Sequence, residues 1–477
     1  MTRTIDRSVI AQLMREETKR FEREHPKSRN LFERAKAHLL AGVPMNWMIR
    51  WAGSFPIFVD EGRGAYVTDV DGNRYLDFCL GDTGAMFGHS PKAVVDVMAR
   101  RLRRGITMML PTEDSVGVAE ELARRFGLPY WQVAMTATDA NRFAIRLARD
   151  VTRRPKILVY NGCYHGTVDE ALVDLDGGGV VPRQGSIGPP VDPAVTTKAI
   201  EFNDVAALED ALAPKDVACV LAEPAMTNRG IILPEEGYHD ALRDATRRTG
   251  TLLIIDETHT ICCGPGGYTA LHELKPDMVT LGKPIASGIP AAAYGISADV
   301  ADRILAKVKA ESTDESGLGG TLSGNALAAA AMRATLEHVI TQANFDRMLP
   351  LAERFERGVS AVIQEMDFAW HVVRLGVRIE YRFMRRIPKN GLEAARGNDA
   401  ELDRLIHLYM LNRGILLTPF HNMALISPST KAKDVDRHTD VFRGCAEALA
   451  VVEQDFKAPE EIEQNRERRL GWLGGAE

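Results

Sequence analysis

Hydrophobic and polar positions change rhythm along this chain in a definite order. Through residues 1–42 the apolar residues recur at helical spacing among charged ones, which predicts two amphipathic helices broken near His25-Pro26-Lys27-Ser28. From Phe55 to Asp77 apolar and polar residues alternate, and the Glu61-Gly62 and Asp71-Gly72 pairs predict tight turns in a small antiparallel meander. Beyond about residue 90 short apolar runs alternate with helical stretches. Lys156–Tyr160, Val217–Ala222, Leu252–Ile255, Met278–Leu281 and Ala291–Ile296 predict buried strands, and the helix from Tyr238 stops at Gly250.

Strands that alternate with covering helices predict an α/β fold with a mostly parallel central sheet. Past Asn325 an alanine-rich helix, Ala326–Val339, leads into a region of helices and short strands ending near Val452. The charged tail 458–469 predicts a solvated helix or a frayed end. The sequence divides into residues 1–80 (helices and meander), 81–330 (the main sheet) and 331–477 (the third region and tail).

Composition narrows the partners. With 65 acidic against 59 basic residues the net charge is −6, which gives no support for nucleic acid or an anionic membrane. The six cysteines have no CxxC spacing, and several lie in apolar runs, as buried thiols in a reducing compartment do. The N-terminal stretch lacks the apolar core of a signal peptide, and no run approaches the ~18 apolar residues of a membrane span, so a cytoplasmic location is expected.

Candidate chemistry lies at the ends of the apolar runs. Lys283 follows Met278–Leu281, and Asp256 follows Leu252–Ile255, so an amine and a carboxylate emerge at neighbouring strand tips, the edge where open α/β sheets bind ligands. A Schiff-base lysine and an aspartate for a pyridinium nitrogen are what a pyridoxal phosphate (PLP) site needs. Taken singly, each also reads as a surface lysine or a helix-capping aspartate. Thr136-Ala137-Thr138 opens a helix whose N-terminus suits a phosphate or a plain cap. Tyr164-His165-Gly166 offers a ring to stack on a planar cofactor, or a core tyrosine beside a loop glycine. Gly177-Gly178-Gly179 lacks the spacing of a dinucleotide-binding loop.

Thr136-Ala-Thr-Asp-Ala140, Tyr164-His-Gly166, Ala222-Glu-Pro224 with Asn228, Asp256-Glu257, Leu281-Gly-Lys283 and Gly319-Gly-Thr-Leu-Ser-Gly-Asn325 together resemble the class III PLP-dependent aminotransferases. The resemblance spans roughly residues 35–450 and is nearest the branch with glutamate-1-semialdehyde aminomutase and β-phenylalanine aminotransferase. It implies fold type I, with a large domain on the parallel sheet and a small α+β domain built from both termini. It also implies that Lys283 carries PLP as a Schiff base and moves its proton, that Asp256 holds the pyridine nitrogen, and that Tyr164 and Thr258 flank the ring. Ala137 and Thr138 would bind the phosphate, and Thr321 would complete that site from the neighbouring subunit of a homodimer with shared active sites. His259 stands where some relatives have a glutamine bonded to the cofactor's phenolic oxygen, or serves as a supporting histidine. Glu223 resembles an acidic residue on the substrate side.

Departures from the family pattern concern the substrate. The arginines that hold a substrate carboxylate in β-phenylalanine aminotransferase have no clear counterpart: Phe420 or His421 falls at one, and only Arg50 lies near the other. Trp47, Met48, Trp51, Met86 and Phe87 predict an apolar pocket. Asp82 would meet a cationic substrate or cap a turn. The expectation from these features is a ping-pong aminotransferase moving an amino group from an amine or ω-/β-amino donor to an oxo-acid acceptor. An isomerase, either an aminomutase or a racemase on the same scaffold, is the alternative.

Overall fold

A computed structural model of the chain describes residues 3–311, 317–419 and 421–450. Its centre is a seven-stranded sheet ordered Tyr130–Ala134, Ala292–Ile296, Met278–Leu281, Leu252–Asp256, Val217–Ala222, Lys156–Tyr160, Thr197–Ile200. Only Ala292–Ile296 runs against its neighbours; the remaining ladders are parallel. The apolar runs expected as strands all lie in this sheet. Leu252–Asp256, Val217–Ala222 and Met278–Leu281 are buried along their whole length, as strands covered on both faces must be. Each fully buried Ile or Leu there contributes about 1.5–3 kcal/mol through area removed from water.

Tyr130–Ala134 and Thr197–Ile200 are strands without a contiguous apolar run. Both sit at sheet edges and are only partly buried, so one-sided packing leaves their sequences polar.

The helix Ala137–Thr152 buries Ala140, Phe143, Ala144, Leu147 and Ala148 against the sheet. At the N-terminus Arg7–Glu24 and Pro26–Ala35 form the two expected helices, with His25 between them. The Asp6 side chain caps the first, accepting from the Ser8 N–H at 2.7 Å.

The meander is Val59–Arg63, Tyr66–Asp69 and Arg74–Asp77, antiparallel throughout. The expected turn at Glu61-Gly62 falls instead at Gly64, whose φ is 59°. Gly62 lies inside the strand opposite Val67, where a Cβ would come within 2.9 Å of the His89 ring. Its glycine therefore serves a close approach and not a reversal. Ile415–Leu416, from far down the chain, adds to this sheet as a parallel fourth strand beside Arg74–Asp77.

Ala326–His338 forms as expected, capped by Asn325. All six cysteines are buried and free. Among the described residues no helix is long and apolar enough to cross a membrane, and no cluster of ligands suits a metal. The charged tail lies outside the described residues.

Candidate active site

Parallel register brings three chain segments out of the sheet side by side. Ile255 pairs with Ala222, and Asp256 pairs with Thr280, so Glu223, Asp256 and Lys283 leave adjacent strands at the same end. There they line a cleft of about 370 Å³ with Ala137, Thr138, Tyr164, His165, Thr258 and His259.

Asp256 is buried and held from several directions. Its Oδ2 accepts from Asn141 Nδ2 at 2.9 Å and His165 Nδ1 at 2.9 Å, and its Oδ1 accepts from the Thr258 N–H at 3.0 Å. Burial opposes its ionisation, but these bonds, that of His165 foremost, bring its pKa down to about 2. Burial likewise disfavours the His165 cation, yet Cys163 and Asp256 outweigh it and raise the imidazole to about 10. Asn141 is fully buried and also accepts from Thr280 Oγ1 at 2.6 Å, which ties helix, carboxylate and neighbouring strand together.

Lys283 opens the short helical turn Lys283–Ala286 with φ 45°. Its Nζ donates to Asp82 Oδ2 at 3.0 Å and to His259 Nε2 at 2.5 Å. On its far side His259 Nδ1 meets Thr227 Oγ1 at 2.6 Å, and that hydroxyl lies 2.6 Å from Glu223 Oε1. An ionised carboxylate only accepts, so Thr227 donates to Glu223 and takes the Nδ1–H bond of His259. The neutral His259 ring then turns its Nε2 lone pair to Lys283. Burial and the Lys283 charge lower the pKa of His259, as that assignment requires. Burial works against the Glu223 carboxylate too, and the His259 ring 3.3 Å away together with the bond from the Thr227 hydroxyl more than offset it.

At the other end of the cleft the Thr136 side chain accepts from the Asp139 N–H, and its carbonyl accepts from Ala140. The amides of Ala137 and Thr138 are left as the open donors of the first turn, a phosphate-binding arrangement. Gly166 packs over them: a Cβ on it would lie 2.1 Å from Thr138 Oγ1.

These residues fit PLP. An ionised carboxylate, a reactive amine and an open helix N-terminus stand around one cleft, and two buried polar atoms there, Thr258 Oγ1 and His165 Nε2, have no partner within the described chain.

The expected pocket residues are less concentrated. Trp47 and Arg50 belong to the exposed turn Asn46–Arg50, and Met48 and Trp51 pack on the cluster of Phe21, Phe32 and Phe55. None of the four lines the Lys283 cleft, because this segment folds back on the N-terminal helices. Met86 is fully buried in the main core. Phe420 lies outside the described residues, while His421 meets Glu380 at 3.3 Å. Thr321 lines a separate hollow with Met108, Leu110 and Trp131 and is absent from the cleft of its own chain.

Asp82 is the exception. Its side chain reaches Lys283 and does not cap its turn. Asn141 and Thr227 were not anticipated as parts of the site and His165 was given no role, whereas Arg378, expected with Arg50 and Arg374 as a candidate anchor for an acceptor acid, lies 4.0 Å from Asp82.

The family model of class III aminotransferases matches residues 47–442. A glutamate-1-semialdehyde 2,1-aminomutase of Sorangium cellulosum is 35% identical over 434 residues, covering 89% of this chain and 96% of that one. The crystal structure of a glutamate-1-semialdehyde-aminomutase from Pseudomonas aeruginosa PAO1 is 51% identical, with a TM-score of 0.91 over 93% of this chain and 99% of that one. A lysine-to-alanine variant of the Pseudomonas aminomutase in complex with PMP is similar at 50% identity and a TM-score of 0.91, with the same coverage of 93% and 99%. These relatives overturn the expectation of amino transfer from a donor to an external oxo-acid, since they carry the name of an enzyme that isomerises one molecule.

Proposed function

The chain belongs to the class III aminotransferase family, whose cofactor is pyridoxal 5'-phosphate, and from that premise we propose that it is an aminomutase. It moves an amino group between neighbouring carbons of a single small molecule, with glutamate 1-semialdehyde as the substrate to which its relatives' names point. The observation that carries this reading is 51% identity to an aminomutase over 93% of the chain. The site is compatible with it. Lys283 is the only Lys or Arg among the cleft-lining residues. Arg374 is committed to Glu356 at 2.8 Å, away from the cleft. No arginine fork stands among these lining residues to hold a carboxylate, whichever substrate carries it.

When bound, PLP supplies a carbonyl that condenses with amines and a ring that accepts electron density. The protein supplies position and protons. Asp256 presents a carboxylate that stays ionised, so a ring nitrogen placed against it keeps its proton. The open amides of Ala137 and Thr138 orient a phosphate. Lys283 is the base and acid at the reacting carbons. His259 Nε2, fixed as an acceptor by Thr227, gives a proton leaving the Lys283 nitrogen a place to rest 2.5 Å away.

The assembly proposed with this reading is a homodimer. Thr321 lies outside its own cleft, beside the exposed Met109 and Leu322, and would complete the phosphate end of the neighbouring subunit's cleft.

The test is to supply the PLP-loaded protein with glutamate 1-semialdehyde and no oxo-acid and to follow the carbon skeleton by NMR. Appearance of 5-amino-4-oxopentanoate at many turnovers per site is expected. Turnover that begins only after an oxo-acid is added would overturn the reading.

A further inference from the structure

Leu80, Gly81, Asp82 and Thr83 run consecutively through the left-handed region, with φ of 44°, 60°, 47° and 79°. Three of the four carry a Cβ, and such strain persists only where the surroundings over-determine it. Leu80 and Thr83 are fully buried, and the Leu80 N–H is held by Asp77 Oδ1 at 2.8 Å. The loop so anchored sets the Asp82 carboxylate between two cations.

Oδ2 accepts from Lys283 Nζ at 3.0 Å. Oδ1 is buried, has no partner among the described residues and lies 4.0 Å from Nη1 of Arg378. That separation is about 1 Å longer than a hydrogen bond, so Asp82 serves Lys283 directly and Arg378 only across a gap. Arg378 is fully buried and poorly satisfied: Nη1 reaches Thr83 Oγ1 at 3.4 Å, while Nε and Nη2 have no partner among the described residues. A buried guanidinium left short of acceptors gains from any carboxylate that turns to it.

Lys283 supplies the occasion. An ammonium group cannot attack an aldehyde. Lys283 first gives a proton to His259 Nε2, 2.5 Å away, and its nitrogen then replaces the aldehyde oxygen, which leaves as water. Discharging the amine takes away the cation that Asp82 was paired with, and a half-buried carboxylate without a partner is costly. Arg378 keeps its charge at any working pH and stands behind that carboxylate. We infer that Asp82 is passed between two cations, and that Arg378 is the positioning residue that receives it when the Lys283 amine gives up its proton.

The other ionisable groups near this carboxylate are His259, the Tyr164 hydroxyl, and His421, which meets Glu380 at 3.3 Å; Glu223 reaches Lys283 through Thr227 and His259. Burial works against the Asp82 carboxylate, and Lys283, His259 and Arg378 outweigh it and hold its pKa far below the usual range, so it is an anion that changes hands. The inference needs PLP but not the aminomutase reading, since the amine must be discharged whichever substrate follows.

The test mixes cofactor-free protein with saturating PLP and follows the first-order rise of visible absorption between about pH 6 and 10. The midpoint of the rate against pH reports loss of the Lys283 proton. Arg378→Met should move it up by about one pH unit, which is a rate about tenfold lower on the acid side, and Asp82→Asn should move it down by a similar amount. The double variant should match Asp82→Asn alone, because Arg378 then has no carboxylate to receive. Arg378→Lys keeps a cation in place and should recover part of the loss. An Arg378→Met protein with the wild-type midpoint overturns the inference. So does an Arg378→Met shift that persists undiminished beside Asp82→Asn, which would mean plain repulsion between two cations. Crystals of the wild-type protein give a reading that needs no variant: with PLP loaded, Asp82 Oδ1 and Arg378 Nη1 should close to about 3 Å, and an unchanged gap overturns the inference. If isomerisation of glutamate 1-semialdehyde fails while these results hold, the aminomutase reading falls and the role of Arg378 stands. If isomerisation succeeds without them, the role of Arg378 falls alone.

Discussion

Thr227 Oγ1 and His259 Nδ1 lie 2.6 Å apart, and that one contact decides which nitrogen of the imidazole faces Lys283. Replacing Thr227 by Val keeps the volume but strands the buried Nδ1–H and frees the ring to exchange tautomers. We expect the turnover number to fall about tenfold to a hundredfold with PLP still bound, and Thr227→Ser to restore most of it. Steady-state rates beside the absorption of the loaded cofactor check this, and equal loss in the Ser variant would refute a hydroxyl role.

Asn141 joins Asp256 to Thr280 through buried bonds of 2.9 and 2.6 Å. Asn141→Leu leaves the Thr280 hydroxyl without its acceptor and removes one donor from Asp256. Unfolding by denaturant should show a loss of about 1–3 kcal/mol, with weaker PLP retention on dialysis. Asn141→Asp should be worse for the cofactor, since a second carboxylate would stand against Asp256.

Gly166 has φ 79°, and a Cβ there would reach 2.1 Å from Thr138 Oγ1. Gly166→Ala is therefore expected to destabilise the chain by about 1–2 kcal/mol or more and to lose PLP. Adding Thr138→Ala should recover part of the melting temperature by making room, but not the affinity for phosphate. Recovery of both would mean that the Thr138 hydroxyl is dispensable at that end of the cleft.

Much of the main sheet and the paired Lys283 and Asp256 are legible in the chain because they follow from local pattern: runs such as Thr251-Leu-Leu-Ile-Ile-Asp256 can only be buried, and a charge at the end of one surfaces at the sheet edge. Asn141, Thr227 and His165 are not legible in that way. Each matters through a partner brought close by tertiary packing, and a lone Asn on a helix or a Thr after a strand carries no mark of it. Arg378–Arg382 is actively misleading. Arg378, Glu380 and Arg382 alternate as a solvent face would, yet every residue of that strand is buried, and Arg378 lies behind Asp82. The loop around Trp47 and Arg50 misleads in the opposite sense, since sequence neighbours of a family's pocket need not fold over the cleft.

Burial depresses several histidines, which sets the response to acid. His438 is surrounded by Phe78, Phe355 and Phe442, both ring nitrogens lack partners among the described residues, and burial brings its pKa down to about 3. Burial also lowers His239 to about 4 and His407 to about 4. Their unfolded values are higher, so between about pH 6.5 and 4 the unfolded chain binds more protons and stability falls as pH falls. The stabilisation from His165, raised to about 10 in the fold, is lost as pH rises from about 6.5 through that value, so the melting temperature should fall on that side, and the depressed histidines should make it drop steeply below about pH 6. His438→Leu should make that drop shallower; an unchanged slope would show that His438 is not among the groups responsible.

The parallel strand Ile415–Leu416, bonded to the meander through Leu76 and Phe78, has a consequence for biosynthesis. A ribosome delivers Arg74–Asp77 long before its outer neighbour exists, so for most of translation that strand carries an unpaired edge of backbone donors and acceptors, the kind of surface that recruits other strands. Nascent chains stalled anywhere before residue 415 should share this exposed edge, and the first module to be made is among the last to close.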